Sequence, residues 1–279
     1  MNAFLRLLRV HQWTKNLFVF VGVFFAELFL TSILIDAIFV FVSFCLASSI
    51  VYIMNDMKDV ESDRQHPKKK HRPIASGAIT EKQAIGVLAL LIVGITLSFL
   101  IIPLHAIFIV ASYIAFNMAY TQLLKHIVLL DVFSIAFSFM LRVFAGTYGI
   151  GVPASSWLLI TIIALALFLS LAKRYNEISL VGKKHRKVLG MYSPEYLNNL
   201  VMISATLSIA FYSLYTISIN KNIFHIATIP LVMYGFFRYL HITHIQKGGG
   251  DPSEELYKDK HILVVVLLWI VLLLFGMIL

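Results

Sequence analysis

In the stretch AIFVFVSFCLASSIVYIMNDMKDVESDRQHPKKKHR, residues 37 to 72, an apolar run leads directly into a cluster of acidic and then basic residues. The apolar part, 37 to 55, is long enough as a helix to cross a hydrocarbon core about 30 Å thick. Runs of this kind recur along the chain, at roughly 17 to 35, 82 to 102, 104 to 122, 128 to 150, 155 to 173, 197 to 219, 223 to 242 and 261 to 279. The expectation is an all-α polytopic membrane protein of about nine transmembrane helices, forming a single domain over 1–279 with no separate soluble part. Composition agrees, since 59% of the 279 residues are hydrophobic and only 13% are charged, against roughly 25% charged in soluble domains.

The charges are distributed asymmetrically. Lys and Arg gather in the leader (Arg6, Arg9, Lys15), in 58–82, at Lys125, in 173–187 and in 238–260, which together hold 21 of the 23; Arg142 and Lys221 fall elsewhere. Basic residues concentrate on the cytosolic side of membrane proteins, so this pattern places the N-terminus and these loops in the cytosol. The net charge of +9 is thereby explained by orientation and does not call for a nucleic-acid partner. Twelve of the 14 acidic residues share that side, all but Glu27 and Asp36. Carboxylates set among cations suggest a site for a metal and a polyanion, as an alternative to solvated loops beside lipid headgroups. The leader, MNAFLRLLRVHQWTKN, is basic and amphipathic without a small-residue cleavage site, so it reads as a segment lying along the membrane surface and not as a cleaved signal.

Within the opening stretch, Asn55, Asp59 and Asp63 are spaced i, i+4, i+8. Each four-residue step overshoots a helical turn by about 40°, so the three fan along one stripe, with Asp56 pointing elsewhere. Hard oxygen ligands in this pattern suit Mg²⁺, which keeps positions open for water and phosphate oxygens. Arg64, Lys68, Lys69, Lys70 and Arg72 follow and can balance phosphate charge. In a soluble helix the same pattern would more often be a solvated face; abutting a membrane span, and followed by Pro67 and Pro73, it reads as a site. A single cysteine, Cys45, leaves no disulfide framework and no cysteine zinc site. His11, His66 and His71 are too scattered to read as zinc ligands, and Gly248 to Gly250 do not fit a phosphate-binding loop. Arg142, deep in a span, is read as a phosphate ligand or as the structural partner of Asp131 on the same helix.

These residues resemble the UbiA superfamily of intramembrane prenyltransferases, whose first Asp-rich motif, NDxxDxxxD, is matched in full by residues 55 to 63. The resemblance implies a UbiA-like helical bundle. It also implies roles for Tyr120 and for Lys125 in YTQLLK, the Lys contacting diphosphate. The second cytosolic loop departs from the common pattern: in place of a second Asp-rich motif it reads AKRYNEISL, with Glu177 its nearby carboxylate and Lys173, Arg174, Lys183, Lys184, Arg186 and Lys187 as cations. That departure resembles one branch of the superfamily, the decaprenyl-phosphate phosphoribosyltransferases. HQWTKN (11–16, with Lys15), LRVFAG (141–146), Pro153 to Trp157, KRY (173–175) and GGGDPSEELYKDK (248–260) agree with it.

The branch resemblance implies transfer of 5-phosphoribose from phosphoribosyl diphosphate to a polyprenyl phosphate in the plasma membrane of a prokaryote, facing the cytosol, in cell-envelope synthesis. Asp59, Asp63 and Lys125 would be catalytic and Asn55, Asp59 and Asp63 would hold Mg²⁺. Lys15, Asp56, Arg64, Arg72, Tyr120, Arg142, Lys173, Arg174 and Glu177 would bind substrate. The alternative enzyme reading is Mg²⁺-dependent prenyl transfer to an aromatic or other small acceptor, favoured by two Asp-rich motifs where phosphoribosyl transfer is favoured by one. A transporter would place its charges nearer the bilayer midplane.

Overall fold

The computed structural model describes the chain apart from residues 1, 27, 29–31, 66–68, 182–186, 220–221, 247, 249–254, 256–257 and 279. His66, Pro67, Lys68, Lys183, Lys184, Arg186, Lys221 and part of the 248–260 segment therefore lie outside the described residues. The protein is all-α, and no strand occurs among the described residues. Among the described residues, eight helical segments are long and apolar enough to cross a membrane: α1 (Ser32–Lys58), α2 (Glu81–Ser98), α3 (Leu104–Gln122), α4 (Leu130–Ala145, with the turn Tyr148–Ile150 completing the span), α5 (Ser156–Val181), α6 (Pro194–Ile219), α7 (Ile223–His244) and α8 (Lys260–Ile278). Their unburied faces are apolar too, with Leu90, Phe108 and Ile203 more than half exposed, as expected where lipid is the solvent.

The first expected span, 17 to 35, takes a different form. The leader is helical from Val10 to Phe20 as a 3-10 helix and then from Val21 to Phe25 as an α-helix. At about 2.0 Å per residue for the tighter form and 1.5 Å for the α-turns, the two segments reach roughly 30 Å, comparable to a hydrocarbon core. The leader packs on protein along one side. Leu7, Asn16 and Val19 are fully buried, and Trp13 Nε1 donates to Ser49 Oγ at 3.1 Å while Asn16 Nδ2 donates to Ser48 Oγ at 3.3 Å, both on α1. Phe4, Leu5 and Leu17 remain exposed.

Packing resolves into two compact units. Unit 1 comprises Met1–Gln122 and Leu141–Pro153; unit 2 comprises Leu123–Met140 and Ala154–Leu279. In unit 1, α1 is central, packed by the leader, α2 and α3 around a core that includes Val40, Phe44, Ile53, Val110 and Ala145. α2 starts where Thr80 and Gln83 cap each other reciprocally: Thr80 Oγ1 accepts from Gln83 N at 3.3 Å and Gln83 Oε1 accepts from Thr80 N at 2.9 Å. The leader meets the end of α4 backbone to backbone. A Cβ on Gly146 would collide with the carbonyl of Val19, and one on Gly22 with the carbonyl of Gly146.

In unit 2, α5 packs along α6, and α6 and α8 both pack on α7, around Phe168, Leu197, Val201, Tyr239 and Ile242. α5 runs two turns beyond its expected end at 173, because charged residues end a hydropathy signal without ending a helix. At its C-terminal end a buried polar lock joins three segments. Arg174 Nε donates to Asp131 Oδ2 at 2.8 Å, the Tyr192 hydroxyl donates to Asp131 Oδ1 at 2.8 Å, and Leu129 N donates to the Tyr192 oxygen at 2.8 Å. Asp131 is wholly buried and Arg174 is 2% exposed. Leu129 has a left-handed backbone, φ 66°, a conformation that a side chain with a Cβ rarely holds unless its surroundings enforce it. Burial pushes the Tyr192 hydroxyl above its ordinary pKa, with Asp131 adding to the effect, so the phenol stays a donor.

Two stability predictions follow from these contacts. Gly146→Ala should lower the detergent-solubilised melting temperature sharply, because a backbone carbonyl has to move to admit the methyl; Gly86→Ala, which meets nothing within 4 Å, should leave it nearly unchanged. Arg174→Ala strands the Asp131 carboxylate and should cost about 3 to 5 kcal/mol, whereas Tyr192→Phe, losing only the hydroxyl, should cost about 1 to 3 kcal/mol; thermal unfolding of the purified variants checks the order.

Candidate functional site

The last two turns of α1 carry Asn55 and Asp56, and the chain continues through Asp59 into a short helix, Val60–Arg64. The helical ladder is kept across this junction, with Asp59 N donating to the Asn55 carbonyl at 2.9 Å and Asp63 N to the Asp59 carbonyl at 2.8 Å. Asp59 itself bends the path, with φ −95° and ψ 10°. Asn55 and Asp59 are half-buried, while Asp56 and Asp63 are each 2% exposed.

The two buried carboxylates are joined by one guanidinium. Arg72 Nη1 donates to Asp63 Oδ2 at 2.6 Å and lies 3.1 Å from Asp56 Oδ1. Arg9 Nη2 reaches Asp56 Oδ1 from the leader at 2.5 Å, its guanidinium 4.6 Å above the Tyr52 ring. Lys69 Nζ stands 3.9 Å from Asp63 Oδ1. Asp56 Oδ2 is buried and has no hydrogen-bond partner among the described residues.

This corrects the expectation that Asp56 points away from the acidic stripe. At 100° per residue, the seven steps from Asp56 to Asp63 fall only about 20° short of two full turns, a closer alignment than the 80° accumulated from Asn55 to Asp63. The signal that would have found the pair is therefore the i, i+7 spacing. Arg9 had no such signal, being 47 positions from its partner.

The other expected site residues are distributed through both units. In unit 1, Arg64 lies on an exposed face and donates to Glu61 at 3.0 Å. Lys15 is half-buried in the leader helix, and Tyr120 is half-buried in the last turn of α3. Arg142, 4% exposed, donates through Nε to Asn16 Oδ1 at 2.8 Å and through Nη2 to the Tyr113 hydroxyl at 2.9 Å, with its guanidinium 4.7 Å over the Tyr113 ring. The anticipated partner, Asp131, is engaged instead by Arg174 and Tyr192. Eleven residues of one helix separate Asp131 from Arg142, a rise of about 16 Å, too far for a direct pair.

In unit 2, Lys125 is half-buried in the turn Leu124–His126 and Lys173 is half-buried on α5. Arg174, expected to hold a phosphate, sits between carboxylates: besides Asp131 it donates through Nη1 to Glu177 Oε2 at 2.8 Å. Among the described residues, no three His, Cys, Asp or Glu side chains already converge as a metal-binding group. In the Asp56–Asp63 pair the Arg72 guanidinium bridges the two carboxylates.

The chain matches the UbiA prenyltransferase family over residues 16–253. It is 33% identical over 284 residues to the decaprenyl-phosphate phosphoribosyltransferase of Corynebacterium glutamicum, covering 96% of this chain and 85% of that one. It is 31% identical to the enzyme of the same name from Mycolicibacterium smegmatis, covering 96% and 90%. Among solved structures it resembles a UbiA homolog from Archaeoglobus fulgidus bound to GPP and Mg²⁺, with a TM-score of 0.72 at 16% identity over 99% of this chain and 98% of that one. A UbiA homolog from Aeropyrum pernix gives the same TM-score at 14% identity, over 96% and 98%. The eight membrane-length helices, the NDxxDxxxD stretch at the end of the first of them and this match along most of the sequence agree: the chain is an integral membrane protein and belongs to the UbiA prenyltransferase family.

Proposed function

We propose that the protein transfers 5-phosphoribose from phosphoribosyl diphosphate to a polyprenyl phosphate, releasing diphosphate. The observation that carries this reading is the 31–33% identity, along nearly the whole of both chains, to decaprenyl-phosphate phosphoribosyltransferases. The basic loops support a site on the cytosolic face of a prokaryotic plasma membrane.

Unit 1 fits a divalent cation. Asp56 and Asp63 offer hard oxygens, Asp56 Oδ2 is buried without a partner among the described residues, and Asn55 and Asp59 stand on the same two turns. These are the residues that would hold Mg²⁺. When bound, the cation supplies charge neutralisation to the leaving diphosphate. Arg72 and Lys69 bring further positive charge to the same carboxylates and would pair with phosphate oxygens as the diphosphate arrives.

The bond that breaks joins the anomeric carbon to the diphosphate oxygen, and the bond that forms joins that carbon to an oxygen of the lipid phosphate. Attack opposite the leaving group inverts the anomeric centre, by analogy with displacement at sugars. The acceptor is already an anion, so no side chain has to remove a proton. Lys125 and Lys173 are assigned to phosphate binding on the strength of the motifs they belong to. Arg174 and Glu177 are assigned to the lock that holds Asp131, and Arg142 to holding the leader through Asn16.

Purified protein given labelled phosphoribosyl diphosphate, a polyprenyl phosphate and Mg²⁺ should form a labelled lipid. Chelation with EDTA should abolish the product and added Mg²⁺ should restore it. Absence of labelled lipid, with turnover of a prenyl diphosphate in its place, would establish prenyl transfer instead. Asp63→Asn should lower the rate roughly 100-fold or more, while Glu61→Gln, on the exposed face of the same short helix, should remain within about twofold.

A further inference from the structure

Among the described residues, Arg9 is the cation paired with the acidic cluster that comes from neither the loop nor α1. It sits at the junction between the short helix Ala3–Leu7 and the leader helix, in a left-handed backbone conformation, φ 51° and ψ 47°. Residues with a Cβ seldom adopt that region, and where they do the conformation is commonly held for a purpose. Here it delivers the guanidinium to two groups one helical turn apart on α1: the face of Tyr52, at 4.6 Å, and Asp56 Oδ1, at 2.5 Å. The segment before it is anchored, since Leu7 is fully buried and the Leu8 carbonyl accepts from Ser49 Oγ at 2.9 Å.

The carboxylate so gripped is asymmetric. Oδ1 takes both guanidinium contacts, while Oδ2 is buried and takes none among the described residues. Arg72 bridges Asp56 and Asp63, so a cation entering between the two carboxylates competes with it directly. Arg9 touches only Asp56, from another segment and with its own aromatic seat, so it can stay while Arg72 yields. A carboxylate ligand whose other oxygen is fixed by a second group cannot rotate away, and such supporting contacts typically change metal affinity 10- to 100-fold when removed.

We propose that Arg9 is a positioning residue for the cation site, holding Asp56 through Oδ1 so that Oδ2 is presented to the divalent cation. This rests on the reading of the Asp56–Asp63 pair as a metal-diphosphate site. The sign of the effect separates orientation from charge. A guanidinium near a cation site repels the cation, so removing its charge alone would tighten binding; loosening on removal requires that orientation matter more. Lys in place of Arg keeps the charge and loses the planar fork that meets both ring and carboxylate.

The test is Mn²⁺ binding to purified protein, read by electron paramagnetic resonance with and without inorganic diphosphate, alongside melting temperature and turnover. Arg9→Lys and Arg9→Gln should each raise the Mn²⁺ Kd about 10- to 100-fold. Tyr52→Leu, which removes only the ring beneath the guanidinium, should shift it in the same direction by less and guards against a variant that fails to fold. An unchanged or lower Kd in the Arg9 variants overturns the proposal, even if their melting temperatures fall. So does an unchanged Kd with a raised KM for phosphoribosyl diphosphate, which would make Arg9 a direct phosphate ligand. A wild-type protein that shows no Mn²⁺ site in either condition overturns it as well. If Mn²⁺ binding responds as expected but the wild-type protein does not turn over phosphoribosyl diphosphate, the donor assignment fails and the role of Arg9 stands.

Discussion

An ionised side chain withdrawn from water must find its countercharge or hydrogen-bond partner inside the protein, and that requirement fixes much of this molecule. Asp56, Asp63, Asp131, Arg142 and Arg174 are all at most 4% exposed. Each is held by a partner from another segment: Arg9 or Arg72 for the first two, Arg174 with Tyr192 for Asp131, Asn16 with Tyr113 for Arg142. Between helices in lipid, apolar contact discriminates weakly, since a lipid tail is as good a neighbour as a leucine. Paired charges and close backbone contacts do the discriminating. In unit 1 they join the leader to α1 and α4; in unit 2 they join α4, α5 and the connection before α6.

The distribution of spans was readable because hydropathy is a local property that accumulates over about 20 residues. The third helix lies at the residues expected, 104 to 122. Reading failed where the local signal and the structural cause part company. α5 continues to Val181 past Lys173 and Arg174, because a helix needs backbone hydrogen bonds and tolerates charge when the charge is paired. The leader's packing was not readable either, because its basic residues mask how completely Leu7, Asn16 and Val19 are buried within unit 1. The division into two packing units left no mark on the sequence, because the boundary at Met140 and Leu141 falls inside a continuous helix.

The acidic stretch was legible as a site because its spacing is a helical period, but the pairing within it was not. Four-residue steps drew attention to Asn55, Asp59 and Asp63, while the seven-residue step that aligns Asp56 with Asp63 went unweighed. Arg9 and Arg72 approach Asp56 from opposite directions along the chain, 47 and 16 positions away, and no periodicity links them. Arg142 illustrates the same limit. The nearest carboxylate along its own helix suggested a local pair, whereas two of the groups it bonds, Asn16 and Tyr113, are neutral and lie 126 and 29 positions away.

That last separation bears on how the protein is made. The leader is held in place partly by Arg142, whose codon is read 126 residues after that of Asn16. At about 5 to 20 residues per second, roughly ten seconds of synthesis pass between the two. Throughout that interval the leader helix lacks the Arg142 guanidinium that bonds Asn16 and the Gly146 backbone on which it rests, while α1, α2 and α3 are being synthesised. The leader can meet α1 early, through Trp13 and Asn16, but its seat is completed only when the end of α4 arrives.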